Sequence, residues 1–156
     1  IKELIAAHGR SSKAKHTVLE IHRELGSILW EYCGMSRNKK DLEYALSKLP
    51  EIEEMFRTSL YIPGSSNSFN ASLERAGRLA DYIEFSEIII KDALAREESC
   101  GCHLRTESQT EDHEALRDDE NFSHVSVWEY NKGEAPVLYK EKLSFENVTP
   151  SRRSYK

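Results

Sequence analysis

The chain has 156 residues, 31% of them charged, and a formal net charge of −5. That is one domain's worth, large enough to bury roughly two-thirds of the surface its unfolded form exposes. No basic stripe is present to neutralise phosphates, which argues against a nucleic-acid role. The longest aliphatic run, Ile88-Ile89-Ile90, falls far short of the about 20 apolar residues that span a bilayer. Three cysteines, Cys33, Cys100 and Cys102, make an odd count without a Cys-x-x-Cys pair. This argues for a reducing compartment and against a disulfide framework, and a bridge within Cys100-Gly101-Cys102 would be strained.

The chain opens on Ile1 in ordinary helical sequence, without a signal-peptide pattern, and reads as a piece cut from a longer protein. Residues 1–10 carry Leu4 and Ile5 and end near Gly9, as in a short helix or a trailing connection. Ser11 or Ser12 is then placed to cap a helix with apolar residues at Val18, Ile21, Leu25, Ile28, Leu29 and Tyr32, which Gly34 stops. Gly26 inside it costs about 1 kcal/mol relative to Ala and is read as letting a neighbouring helix approach. Asn38 or Asp41 opens a second helix whose stripe is Leu42, Ala45, Leu46, Leu49, Ile52, Phe56 and Leu60. Pro50 removes one amide donor, but the stripe keeps its phase across it, which predicts one kinked helix rather than two. The run from Ile62 to Asn70 is the clearest loop. Asn70 caps a third helix from Ala71 to about Glu98, with Leu73, Ala76, Ala80, Ile83, Ile90 and Leu94 inward.

Past the polar stretch the period changes to two. Val125, Val127 and Glu129 alternate with Ser126, Trp128 and Tyr130, a strand pattern; a turn follows at Asn131-Lys132-Gly133-Glu134, then a second strand at Val137-Leu138-Tyr139. Leu143, Phe145 and Val148 suggest a third extended piece. The expected fold is mainly α: an antiparallel three-helix bundle of the spectrin-repeat kind, followed by a small β hairpin and extended tail. Residues 1–98 form the bundle and 99–156 a polar motif segment and β tail packed on it, as one domain overall.

Between bundle and hairpin lies the most informative stretch. It reads Ala-Arg-x-Glu-Ser-x-Gly-x-His-x-Arg over 95–105, then Arg-Asp-Asp-x-Asn-Phe over 117–122. Both blocks resemble the C-terminal region of succinate dehydrogenase and fumarate reductase flavoprotein subunits. Cys100 stands where that family commonly has arginine, and Leu116 where a proline often precedes the second block. Glu31-Tyr32-Cys33-Gly34-Met35-x-Arg37 is similar to the family as well. The resemblance implies that the parent binds FAD in an upstream domain and moves a hydride between succinate and the flavin. It implies an FAD-binding domain in the same chain, an iron–sulfur subunit and a membrane anchor subunit as partners, and a place on the inner face of the cytoplasmic membrane through them. No catalytic, cofactor-binding or metal position carries over onto this chain. What carries over is a domain-docking motif: Arg96, Glu98, Ser99, Gly101, His103 and Arg105 from the first block, and Arg117, Asp118, Asp119 and Asn121 from the second. Since Leu104 and Leu116 are the only large apolar side chains between Ser99 and Glu120, this segment is expected to be the least stable part of the chain. It is expected to become firm only on a receiving surface.

The residues by themselves point to no active site. Cys100, Cys102, His103 and His113 lack the two-to-four-residue cysteine spacing of structural zinc sites, and read as two small thiols in a tight turn with histidines in solvent. The carboxylates Glu107, Glu111, Asp112, Glu114, Asp118, Asp119 and Glu120 fit no calcium loop. They read as a solvated or partner-facing segment, with Asp118 and Asp119 capping a short helix through Phe122. No nucleophile elbow and no Gly-x-Gly-x-x-Gly after a strand is present. Trp30 and Trp128 read as core or interface residues. L-Aspartate oxidase and adenylylsulfate reductase flavoproteins share the implied architecture, and a free-standing helical interaction module is a reading from a different class.

Overall fold

The computed structural model describes residues 16–64, 68–131, 133–151 and 154. The elements in order are β1 (His16–Thr17), α1 (Val18–Tyr32), β2 (Ser36–Arg37), α2 (Lys39–Ser59), β3 (Leu60–Tyr61), α3 (Ala71–Ala95), β4 (Leu104–Arg105), α4 (Asp119–Phe122), β5 (His124–Glu129) and β6 (Val137–Lys142). Two short parallel pairings fix the topology. β1, which leads into α1, pairs with β3, which leaves α2, so these helices run antiparallel. β2, between α1 and α2, pairs with β4, which follows α3, so α3 ends where α2 begins. The antiparallel three-helix bundle expected from the three stripes is the fold observed.

Each helix starts on a side-chain cap. Thr17 and Glu20 form a capping box: the Thr17 hydroxyl accepts from the Glu20 amide at 3.3 Å, and the Thr17 amide donates to the Glu20 carboxylate at 2.7 Å. The start at Val18 corrects the expected cap at Ser11 or Ser12, which lie outside the described residues, as do residues 1–10. Thr17 wins because its partner stands three residues on, in register. Asn38 caps α2, accepting from the Asp41 amide at 2.8 Å, and Asn70 caps α3, accepting from the amides of Ser72 and Leu73.

The core sits where the three stripes meet. Val18, Ile21, Leu25 and Ile28 from α1 face Leu42, Ala45, Leu49 and Ile52 from α2 and Ala76, Leu79, Ile83, Ile90 and Ala93 from α3. Leu46 and Phe56 pack at its edge. Ile62, the first residue of the expected loop, is 1% exposed and closes the core from below α2. Pro50 lies inside an unbroken α2 with its ring exposed, where a missing amide bond is least costly. Gly34 stops α1 through a close approach: a Cβ there would lie 2.6 Å from the Trp30 carbonyl oxygen. Gly26 is different from the expectation. Among the described residues nothing lies within 4 Å of the space its Cβ would fill, so neither α2 nor α3 approaches it there.

α3 ends at Ala95, three residues before the expected Glu98, because Arg96 turns extended and carries its side chain toward the tail. The hairpin pairs β5 with β6 antiparallel from His124–Lys142 to Glu129–Val137. Its inward residues are His124, Ser126 and Trp128, while Val125 and Val127 face outward. Trp128 pins the hairpin to the bundle, its indole Nε1 donating to the Asp92 carboxylate of α3 at 2.9 Å. The third extended piece expected around Leu143, Phe145 and Val148 is not a strand. Beyond Leu143, whose amide bonds the Ser123 carbonyl, this stretch has no ladder partner among the described residues, and all three side chains are exposed.

Candidate functional site

The last turn of α3 leaves main-chain carbonyls without partners inside the helix. Arg105 reaches back to them. Its guanidinium, 3% exposed, donates to the carbonyls of Ala93 at 2.8 Å and Leu94 at 3.4 Å, placing a cation where the helix dipole favours one. The Arg105 backbone is gripped on both sides by Ser99, which is fully buried: the amide donates to the Ser99 hydroxyl at 2.8 Å, and that hydroxyl donates to the Arg105 carbonyl at 3.1 Å. Glu107 completes the strap. Its carboxylate accepts from the Arg105 Nε at 3.2 Å and from the Lys39 amide at the start of α2 at 2.6 Å. Partial burial pushes the Glu107 carboxyl upward, but the Lys39 amide and Arg105 outweigh it and hold it below the ordinary value.

A second group sits beside this strap. Arg96 donates to Glu98 at 2.6 Å, to the Phe122 carbonyl at 3.1 Å and to the His124 carbonyl at 2.9 Å, so it ties the end of α3 to the start of the hairpin. Glu98 is 3% exposed and also accepts from the Asp118 amide at 2.9 Å. His103 joins the Arg96 main chain to β2: one ring nitrogen, Nε2, donates to the Arg96 carbonyl and the other, Nδ1, accepts from Arg37, both at 2.9 Å. Only this tautomer satisfies both partners, since a carbonyl cannot donate and a guanidinium cannot accept. Desolvation first, then the nearby Arg37, Arg105 and Arg96, lower the His103 pKa below its ordinary value; the Arg96 carbonyl acts in the opposite direction.

Gly101 sits at φ +61 as the first central residue of a two-residue turn, closed by reciprocal bonds between the main chains of Cys100 and His103 at 2.9 and 3.0 Å. The second block is looser. Asp118 caps α4 through Asn121, and Arg117 pairs with Asp119 and donates to the Ser151 carbonyl. The structure therefore brings Arg96, Glu98, Ser99, His103 and Arg105 into one polar cluster. Glu98 reaches the second block by accepting from the Asp118 amide, and the Ser99 amide bonds the Leu116 carbonyl just ahead of it.

Two expectations change here. His103 is half-buried and fully engaged rather than in solvent, because the turn at Gly101 folds it back onto Arg96. The Ser99–Glu120 segment does not depend on apolar anchors alone: Ser99, Thr106 and Leu116 are held by main-chain bonds, and Arg105 by the end of α3. The docking motif read from the sequence also left out Glu107 and Arg37, which the structure joins to the cluster. The only signal for Arg37 was its place in the Glu31–Arg37 block. Among the described residues, no group of three or more His, Cys, Asp or Glu side chains is placed to hold a metal ion. Nor is any helix long and apolar enough to cross a membrane.

Fold and cluster together define a helical-bundle domain with a buried arginine and a buried glutamate, Arg105 and Glu98, at one end. The sequence profile described as "Fumarate reductase flavoprotein C-term" matches residues 22–155, and the chain belongs to that family. It is 27% identical over 136 residues to the fumarate reductase flavoprotein subunit of Haemophilus influenzae, covering 87% of this chain and 22% of that one. To the Escherichia coli K12 subunit it is 28% identical over 156 residues, covering 99% and 24%. A shorter match, 33% over 88 residues, is to the chloroplastic L-aspartate oxidase of Arabidopsis thaliana, covering 56% of this chain and 13% of that one. The fold is shared with FrdA of Escherichia coli quinol fumarate reductase at a TM-score of 0.78 and 24% identity, over 97% of this chain and 25% of that chain. The chain thus spans about a quarter of the length of the fumarate reductase subunits it matches.

Proposed function

We propose that the chain is the C-terminal helical domain of a flavoprotein subunit that interconverts succinate and fumarate. In this reading it buttresses an FAD-binding domain in the same polypeptide, and the parent passes electrons through an iron–sulfur subunit to a quinone at a membrane anchor. The parent lies on the inner face of the cytoplasmic membrane through those partners. The observation that carries the reading is the family match over residues 22–155, in a chain about a quarter as long as its relatives.

The residues present do not fit a flavin site. A dinucleotide diphosphate is usually held by free amides at a helix N-terminus. Here several first-turn amides are already bonded within the chain: Glu20 to Thr17, Lys39 to Glu107, Asp41 to Asn38, and Ser72 and Leu73 to Asn70. In our reading the upstream part of the parent binds FAD, as the resemblance to the family implies, and the role of this chain is docking. Glu98, Ser99 and Arg105 spend their polar groups inside the chain and set the shape of the surface. Gly101, Asp119 and Asn121 are exposed and face outward from it, with Arg96, His103, Arg117 and Asp118 half-buried between.

The test is the intact subunit. Purified with its upstream part, it should carry FAD and reduce an artificial acceptor with succinate, while the 156-residue chain alone is colourless and inactive. Oxidation of L-aspartate instead of succinate would favour the second reading, supported by the 33% identity to L-aspartate oxidase. A flavin spectrum in the isolated chain would overturn the assignment of FAD to the upstream part.

A further inference from the structure

We propose that Cys100 and Cys102 are a redox-active thiol pair that closes reversibly to an intramolecular disulfide when it meets a low-molecular-weight disulfide. Both cysteines are free and exposed, whereas Cys33 is buried. They flank Gly101 in the two-residue turn closed by the Cys100–His103 bonds. Two residues apart with the chain turning between them, their Cα atoms are closer than the about 7 Å of an extended pair. That lies within the span a disulfide can bridge. A Cβ at Gly101 would meet nothing within 4 Å among the described residues, so the turn has open space in which to adjust as the bridge forms.

The chemistry balances without a metal or a protein cofactor. One thiolate attacks a sulfur of the small disulfide, forming a mixed disulfide and expelling the first small thiolate. The second cysteine thiolate then attacks the protein-side sulfur, forming the Cys100–Cys102 bond and expelling the second small thiolate. The two cysteine protons end on the two small thiols, so the cysteines are oxidised and the small disulfide is reduced. A bridge across a single residue is strained, and strained or exposed disulfides are the labile ones. The pair is therefore built to cycle, not to staple the fold. Cys33 stays outside this chemistry: burial pushes its thiol pKa up and hides it from the reagent.

The experiment uses the reduced 156-residue chain and glutathione disulfide, read by intact mass and by the tryptic peptide spanning residues 97–105. The expected product has lost two hydrogens on that peptide, retains no glutathione and returns to the starting mass with dithiothreitol. Labelling of Cys100 and Cys102 by iodoacetamide should fall at least about tenfold, because a tethered second thiol reacts at an effective concentration on the order of mM or more. The Cys102→Ser variant should stop at one glutathione on Cys100. Glutathione retained on both cysteines of the unaltered chain would overturn the proposal. So would two unreacted thiols at an oxidant concentration that modifies Cys102→Ser.

Discussion

Arg105 donates its guanidinium to the main-chain carbonyl of Ala93 at 2.8 Å, twelve residues back and across the turn that Gly101 makes. A residue in the polar motif thereby finishes the third helix of the bundle. Replacing it with alanine leaves the carbonyls of Ala93 and Leu94 in a space that water reaches poorly, and frees Glu107 from its cation. Hydrogen bonds to charged groups contribute about 1.5–3 kcal/mol each, and the lost stem packing adds to this. Arg105→Ala should therefore destabilise the chain by about 2–4 kcal/mol, seen as a lower urea midpoint. Arg105→Lys should recover only part of that, since an ammonium cannot reproduce the planar fork.

His103 gives the chain an acid-sensitive joint. Its folded pKa lies below the ordinary 6.5, so the unfolded chain binds the proton more readily. The stability this neutral ring contributes is complete above pH 6.5 and is lost as pH falls from there through the folded value. Glutamine at this position can donate to the Arg96 carbonyl and accept from Arg37 without titrating. Urea titrations of His103→Gln between pH 7 and pH 5 should show a shallower loss of stability than the parent chain. Glu107 acts in a separate window: its contribution is present above the ordinary 4.5 and is lost as pH falls through its lowered folded value.

The hairpin should loosen around Trp128 when the Trp128–Asp92 bond is removed, while Arg96 still holds its start at His124. Asp92→Ala leaves the indole donor without its carboxylate, at a cost of about 1–3 kcal/mol for a charged acceptor. In a Trp30→Phe background Trp128 is the sole tryptophan. Its emission should shift to longer wavelength in Asp92→Ala, with helix content unchanged by circular dichroism.

Two glycines of the first helical region should respond with opposite signs. Gly26→Ala meets open space in a helix interior and should stabilise by about 0.5–1 kcal/mol. Gly34→Ala drives a methyl to 2.6 Å from the Trp30 carbonyl oxygen, a backbone atom with little room to move. It should destabilise by roughly 1–3 kcal/mol. Thermal melts of the two variants check both.

What the sequence made legible was local. The three stripes, the caps at Asn38, Asn70 and Asp118 and the two-residue alternation of the hairpin each follow from neighbours a few residues apart. Thr17 was missed although its partner Glu20 is just as near, because Ser11 and Ser12 offered earlier caps of the same kind. The polar cluster was recognised by resemblance but not by its physics. Arg105, Glu98 and Ser99 are buried by partners far along the chain, among them Ala93, Asp118 and Leu116. A charged residue counted as solvated in sequence becomes a core residue only when such carbonyls and amides are folded against it.

The most direct test of the docking account is hydrogen exchange across Ser99–Glu120, in the 156-residue chain and in the intact subunit. In the chain alone, protection should be confined to amides the structure shows bonded, such as Ser99, His103, Arg105 and Leu116. In the intact subunit it should spread further along the segment, including the start of α4. Exchange that is the same in both would mean that this surface meets nothing in the parent, and the docking role assigned to the motif would be wrong.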